Sequence, residues 1–217
     1  IQFEGRDQTR QFAWTTSWGV STRLMGALIM AHSDDEGLII PPKVAGNLLT
    51  IIPIYKTEEE KKLVGDFAIK LAAQLCGEAE LQASASRFGS NQMRRVFFNP
   101  VTHQSVVIDQ RENMRPGEKH FHWEQRGVPL RIEIGPRDVA AGKVVVKPRF
   151  GAVAGTAPEK EILDASTITR EWLSARLETM QATLFQRALA YREANTHSAK
   201  SKRSEEHTSE LQSLTNL

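Results

Sequence analysis

Residues 126–138 combine charged side chains with the pattern of a β-strand. The apolar residues of this segment alternate, which predicts a strand with one buried face; they are Val128, Leu130, Ile132 and Ile134. Arg131 and Glu133 lie on the opposite face, and a Gly-Pro pair ends the strand just before Arg137 and Asp138. Two arginines and two acids at a strand end suit an anionic, hydrogen-bonding partner. A half-solvated strand with screened charges would show the same pattern.

A second candidate site is Arg23, in the first turn of a predicted helix. Gly19 ends the preceding strand, and Ser21 or Thr22 can cap a helix that runs to about His32. Free N–H groups and the helix dipole favour an anion at such a helix start, so Arg23 beside it could bind phosphate. An arginine that only forms a salt bridge explains the same residues equally well.

Two further groups of residues contain metal-ligand types. Asp34, Asp35 and Glu36 follow one another in a turn bounded by glycine, a position where acids are usually solvated. His120 and His122 lie two residues apart on a predicted helix, so their side chains point in different directions. We therefore expect solvated side chains in both groups and no metal site.

Composition restricts the class of protein. The chain has 217 residues and a net charge of +2, so a nucleic-acid partner would need a local basic surface. The single cysteine, Cys76, cannot form an internal disulfide or a thiolate zinc cluster, which fits a reducing compartment. No apolar run reaches the roughly 20 residues of a membrane span, and no signal peptide pattern is present. Because the chain starts at Ile1 without a methionine, we expect a fragment.

The remaining pattern predicts an α/β protein. A hairpin with a turn near 5–8 precedes the helix that ends at His32, and this helix should be buried because it is apolar on nearly all sides. Pro129 cannot donate to a ladder, so we expect the early part of the strand at 126–138 to lie at an edge or to be only partly paired. Further strands are predicted at 48–54, 96–98, 106–108 and 143–147, and helices at 57–76, 116–126 and 166–194.

Two long segments resemble one enzyme family. TSWGVSTRLMGALIMAHSDDEGLIIPPKVA, at 16–45, is similar to motif 3 and the following linker of prolyl-tRNA synthetases, class II enzymes, in their archaeal and eukaryotic-like branch. MRPGEKHFHWEQRGVPLRIEIGPRD, at 114–138, resembles the anticodon-binding domain of the same family. Both segments occur in the family's order, and the resemblance covers about residues 1–197.

The resemblance implies a fold and a domain order. The expected fold is the end of a class II antiparallel catalytic sheet followed by an anticodon-binding domain, a mixed β-sheet flanked by helices. The implied units are a catalytic part with its linker at 1–43, the anticodon-binding α/β domain at 44–155, a helical extension at 156–200 and a disordered tail at 201–217. Within the tail, residues 203–213 match a translated sequencing adapter, so we exclude them from functional reasoning.

The resemblance also implies the chemistry of the first unit. The family activates proline with ATP and Mg²⁺ to prolyl-adenylate and transfers the prolyl group to tRNA(Pro). Arg23 matches the catalytic arginine that binds ATP, and charge builds on the α-phosphate as the carboxylate attacks. The other matching positions are Ser21 and Thr22 for ATP, and Ser17, Trp18 and Gly19 for proline.

In the second unit, Glu124, Arg131 and Arg137 match the family positions that read the anticodon. Proline anticodons share two guanines. Arginine donates to guanine O6 and N7, whereas a carboxylate accepts from N1–H and N2–H. Single-stranded loop bases offer these edges freely. Additional phosphate contacts, or solvated charges, are equally expected for Lys119, Lys147 and Arg149.

Several family features are missing from these 217 residues, namely motifs 1 and 2 and the C-terminal zinc-binding domain. Residues 82–105 also look longer than the family pattern. We expect the family's homodimer and cytoplasmic location for the whole enzyme, and no adenylate formation by this chain alone. One alternative is a non-catalytic RNA-binding or interaction module built on an anticodon-binding domain. Another is a sister class II synthetase for threonine or glycine, although the Ser-Trp pair at 17–18 favours proline.

Overall fold

A mixed β-sheet lies at the centre of the computed structural model, which describes residues 1–76, 93–99, 104–151 and 155–198. The predicted insertion at 82–105 falls largely outside these ranges, and the tail at 201–217, with its segment 203–213, falls wholly outside. In chain order the elements are β1 (Gln2–Glu4), β2 (Arg10–Phe12), α1 (Arg23–His32), β3 (Asn47–Pro53), α2 (Glu58–Cys76), β4 (Met93–Asn99), β5 (Gln104–Asp109), α3 (Pro116–Gln125), β6 (Leu130–Ile134), α4 (Pro136–Ala141), β7 (Lys143–Pro148), β8 (Glu161–Asp164), a short 3₁₀ turn (Ala165–Thr167) and α5 (Arg170–Ala194).

The strands of the large sheet follow the order β4-β5-β3-β6-β7-β8. β3 is parallel to both β5 and β6, and the remaining neighbours are antiparallel, so the predicted mixed sheet is confirmed. β6 lies inside the sheet and all five of its residues are buried, so the edge position and the half-solvated face are wrong. The alternative of partial pairing at the start of the strand agrees with a ladder that begins at Leu130. Pro129 precedes the ladder, and its carbonyl accepts a hydrogen bond from the Arg149 backbone N–H at 2.9 Å.

Helices cover both faces of this sheet, which explains why β6 is buried. One face packs against α2 and α5 in the main core, which includes Ile51, Leu71, Ile132, Val146 and Leu177. The other face packs against α3 in a smaller cluster of Ile52, Val107, Trp123 and Val128. Because side chains alternate along a strand, Arg131 and Glu133 point toward α3.

The N-terminus of α2 shows the capping box that the sequence predicts. The Glu60 backbone N–H donates to Thr57 Oγ1 at 3.2 Å, and the Thr57 backbone N–H donates to Glu60 Oε2 at 3.3 Å. α5 begins differently from the prediction. A 3₁₀ turn occupies the predicted first turn at 166, and Thr169 then caps the helix by accepting from the Trp172 backbone N–H at 3.2 Å.

The N-terminal residues form the predicted hairpin, in which β1 pairs with β2, and the predicted helix α1. However, β2 is short, and α1 contains no buried residue, with Met30 83% exposed. The predicted burial of α1 is therefore wrong, because its contact with α5 leaves most of its apolar surface uncovered. No helix among the described residues is long and apolar enough to cross a membrane.

Two elements of the fold were not predicted. α4 lies between two predicted strands in a segment for which no element was predicted, because its six residues are too few to show a helical period. β8 pairs with β7 at the end of the sheet, beyond the predicted boundary at residue 155. The predicted domain boundaries stay predictions.

Candidate nucleic-acid interface

Charged side chains from β6, α3 and the strands beside them meet on the α3 face of the sheet. We call this group the Arg131 cluster; its members are His120, Glu124, Arg131, Glu133, Lys147 and Lys160. Arg131 lies at its centre, with Nε 3.1 Å from Glu133 Oε1 and Nη1 3.7 Å from Glu124 Oε2. The structure thus brings together two of the three residues that the sequence assigned to anticodon recognition.

Two lysines extend the cluster toward solvent. Lys147 is the cross-strand neighbour of Arg131, and its Nζ lies 3.5 Å from Glu124 Oε1. Lys160 precedes β8, and its Nζ lies 3.2 Å from Glu133 Oε2 with about half of the side chain exposed. Three cations therefore surround two carboxylates, which leaves an excess of one positive charge when His120 is neutral. This local balance suits an anionic partner.

The protonation states of the buried members follow from their surroundings. Burial by itself would raise the pKa of Glu133, but His120, Arg131 and Lys160 lower it below its ordinary value, so Glu133 is ionised. Burial lowers the pKa of His120, whose Nε2 atom lies 3.5 Å from Glu133 Oε1 and has no hydrogen-bond partner in the described part of the chain. His120 is half-buried, so its predicted exposure to solvent is wrong.

Arg131 and Arg137 differ sharply in exposure. The Arg131 side chain is 10% exposed and paired with two carboxylates, whereas Arg137 is exposed in the first turn of α4. Within the described residues, Arg137 takes no part in the ion pairs of the Arg131 cluster. A guanine base has acceptor atoms that suit arginine and N–H donors that suit a carboxylate. A guanine that bound both Glu124 and Arg131 would therefore replace the 3.7 Å contact between these two side chains.

Comparison with known proteins identifies the part of the chain that contains this cluster. Residues 49–167 match the family model described as "Anticodon binding domain". The chain belongs to this family. Every member of the Arg131 cluster falls within residues 49–167.

Relatives over most of the chain are named proline–tRNA ligase. One from Chloroflexus aurantiacus is 41% identical over 196 residues, which cover 90% of this chain and 35% of the relative. One from Akkermansia muciniphila is 40% identical over 197 residues, covering 90% of this chain and 34% of the relative. The chain therefore spans about a third of the length of these relatives. The matches confirm the resemblance to prolyl-tRNA synthetases.

Inside the anticodon-binding domain, Lys119 is a structural residue. It is 3% exposed, and its Nζ donates to the backbone carbonyl of Asp109 at 3.3 Å. Burial lowers the pKa of Lys119. The Asp109 carboxylate accepts from Trp123 Nε1 at 2.8 Å and from Arg111 Nη2 at 2.6 Å. The predicted phosphate contact or solvated position of Lys119 is wrong, because this polar core beneath α3 encloses it.

Arg149 is also buried, so its predicted solvent or phosphate contact is wrong as well. Its guanidinium forms two hydrogen bonds with the Asp34 carboxylate, at 2.6 and 3.0 Å. This ion pair also corrects the expectation that Asp34 is merely a solvated turn residue. No signal in the sequence indicated the pair, because its members lie 115 positions apart.

The residues predicted to bind proline and ATP lie in a different environment. Residues 17–23 are all exposed, and the Trp18 side chain is 97% exposed. Thr22 is the N-cap residue of α1 but makes no side-chain capping hydrogen bond, and Arg23 occupies the first helical position. The assignment of Ser17, Trp18 and Gly19 to proline, and of residues 21–23 to ATP, therefore stays a prediction from the resemblance.

Proposed function

We propose that this chain recognises the anticodon of tRNA(Pro) as part of a proline–tRNA ligase. The observation that carries the proposal is the contact between Glu124 and Arg131 inside the matched anticodon-binding domain. A carboxylate and a guanidinium side by side offer the acceptors and donors that complement a guanine base. The relatives named proline–tRNA ligase support the choice of tRNA.

In this proposal, each part of the Arg131 cluster has a role. Glu124 accepts from guanine N1–H and N2–H, and Arg131 donates to the O6 and N7 edge. Arg137, exposed just beyond β6, contacts the second shared guanine. Lys147 and Lys160 attract the RNA backbone, which makes binding sensitive to salt.

For the whole protein, we propose ATP-dependent activation of proline and its transfer to tRNA(Pro), in a cytoplasmic homodimer. Arg23 would bind the triphosphate with help from Ser21 and Thr22, and Ser17 with its two neighbours would line the proline site. The family resemblance supports these roles. Mg²⁺ would accompany ATP, but the described residues contain no group of three or more His, Cys, Asp or Glu side chains that fits a metal ion.

The proposal is tested with the purified chain and the anticodon stem-loop of tRNA(Pro). We expect tighter binding of this RNA than of a stem-loop in which both shared guanines are replaced. Arg131→Ala should weaken binding of the first RNA by about 1–3 kcal/mol at fixed salt, because one base contact is lost. Arg6→Ala removes the same charge from the exposed β1–β2 turn and should have little effect.

Equal binding of the two RNAs by the unmodified chain would overturn the proposal. An Arg131→Ala variant that binds as tightly as the parent would remove Arg131 from the recognition. Proline-dependent exchange of pyrophosphate into ATP by this chain would contradict the expectation that it forms no adenylate alone.

A further inference from the structure

Arg149 connects three separate segments of the chain through one side chain. Its Nε–H group is shared between the carbonyl oxygens of Leu38 and Glu124, each at 2.9 Å. Its two terminal nitrogens bind the two Asp34 carboxylate oxygens, at 2.6 and 3.0 Å. The Arg149 side chain is only 4% exposed, and a planar guanidinium with four such contacts has little freedom to move.

The contact to Glu124 matters because it fixes the main chain at the last turn of α3. The neighbouring segment approaches this turn closely, since the Leu38 backbone N–H donates to the Gln125 carbonyl at 3.0 Å. A Cβ atom at Gly37 would lie 2.6 Å from Gln125 Cα, and one at Gly127 would lie 2.7 Å from the Leu38 carbonyl oxygen. Both glycines have positive φ angles, so the close approach depends on their lacking a side chain.

Asp34 completes this arrangement from outside the matched domain, which begins at residue 49. The hydrogen bond from Arg149 lowers the pKa of Asp34, so the carboxylate is ionised and offers both oxygens. The Asp34 side chain is 43% exposed, and its removal would open no cavity in the core. Without this carboxylate, the guanidinium would keep only the two carbonyl contacts of its Nε–H group within the described part of the chain.

We propose that Asp34, acting through Arg149, is a positioning residue for anticodon recognition, because their ion pair fixes the main chain that presents Glu124. This inference rests on the function proposed above. The Glu124 carboxylate must meet a guanine edge within hydrogen-bond distance, so a loosened backbone at this residue weakens base discrimination more than it weakens attraction to phosphates. Asp34, which lies before the matched domain, thus affects how Glu124 is positioned inside the anticodon-binding domain.

The test compares Asp34→Asn with Asp35→Asn in the full 217-residue chain. Asp35 is exposed in the same turn, so its variant loses the same charge. The measured quantity is a ratio of two dissociation constants. The constant for the stem-loop with both guanines replaced is divided by the constant for the anticodon stem-loop of tRNA(Pro). We expect Asp34→Asn to lower this ratio about fivefold, and Asp35→Asn to leave it unchanged. Asp34→Glu retains the charge and should recover most of the ratio.

Each outcome bears on the inference. A lower ratio in Asp34→Asn with an unchanged melting temperature and an unchanged salt dependence supports positioning. An unchanged ratio, or equal weakening of both RNAs, overturns it while the proposed function stands. Absence of discrimination in the unmodified chain overturns the proposed function and this inference together. Arg149→Lys provides a second variant, which keeps the charge but cannot make the four contacts, and it should lower the ratio at least as much as Asp34→Asn.

Discussion

Tryptophan side chains lie in opposite environments in two regions of this molecule. Trp123, beneath the large sheet, is 2% exposed, whereas Trp14 and Trp18 are almost fully exposed. The difference extends beyond tryptophan, because none of residues 1–32 is buried and the buried core begins at Ile39. Residues 1–32 and the sheet region have similar apolar composition. The difference in exposure therefore reflects how much surface each region has to pack against. Unfolding of the chain should therefore report on the sheet region.

The largest expected effect comes from testing the two environments with one substitution. Trp123→Phe removes the indole N–H that donates to the buried Asp109 carboxylate at 2.8 Å, and it leaves a small cavity. We expect the free energy of unfolding to fall by about 2–3 kcal/mol. Trp18→Phe should change it by less than about 0.5 kcal/mol, because the side chain is solvated. Urea denaturation of both variants measures the difference.

Comparable losses in the two variants would show that residues 1–32 unfold together with the sheet. In that case the contrast in exposure would not describe how stability is distributed.

A smaller effect is expected at the starts of two helices. Thr57 caps α2 through the hydrogen bond from the Glu60 backbone N–H, whereas Thr22 at the start of α1 makes no such bond. Thr57→Ala should lower the free energy of unfolding by about 1 kcal/mol. Thr22→Ala should lower it by less than about 0.5 kcal/mol. Thermal denaturation followed by circular dichroism distinguishes the two, and a loss in Thr22→Ala as large as in Thr57→Ala would disprove the distinction.

Local sequence patterns explain which elements of the fold could be predicted from the sequence. The Thr57–Glu60 capping box, the start of α3 at Pro116 and the alternation along β6 are local signals, and each element formed as expected. Such patterns depend only on residues a few positions apart. The types of these elements could therefore be predicted before any tertiary contact was known, whereas the anticodon-binding architecture was implied by the resemblance to prolyl-tRNA synthetases.

Burial was harder to predict than element type. The apolar residues of α1 show that this helix could pack against an apolar surface, but they cannot show whether such a surface is present. In the structure, α1 contains no buried residue. Alternation along β6 identifies one apolar face but cannot show that α3 covers the other, so the burial of Arg131 was missed. The Asp34–Arg149 pair joins residues 115 positions apart and leaves no local pattern. The roles assigned to Glu124, Arg131 and Arg137 stay predictions until RNA binding is measured.

The last prediction concerns how stability changes with pH in the sheet region. Burial lowers the pKa of His122 below its ordinary value of 6.5, with further contributions from the charges of Arg111 and Arg126. The unfolded chain therefore binds a proton at this residue before the folded chain does, so stability falls as the pH drops below about 6.5. Burial lowers the pKa of His120 as well, which adds to the same loss. His122→Phe keeps a ring edge-on to Trp123 and should make the decline shallower. Urea midpoints measured from pH 8 to pH 5 give the slopes for both proteins, and parallel slopes would show that His122 does not contribute to the pH dependence.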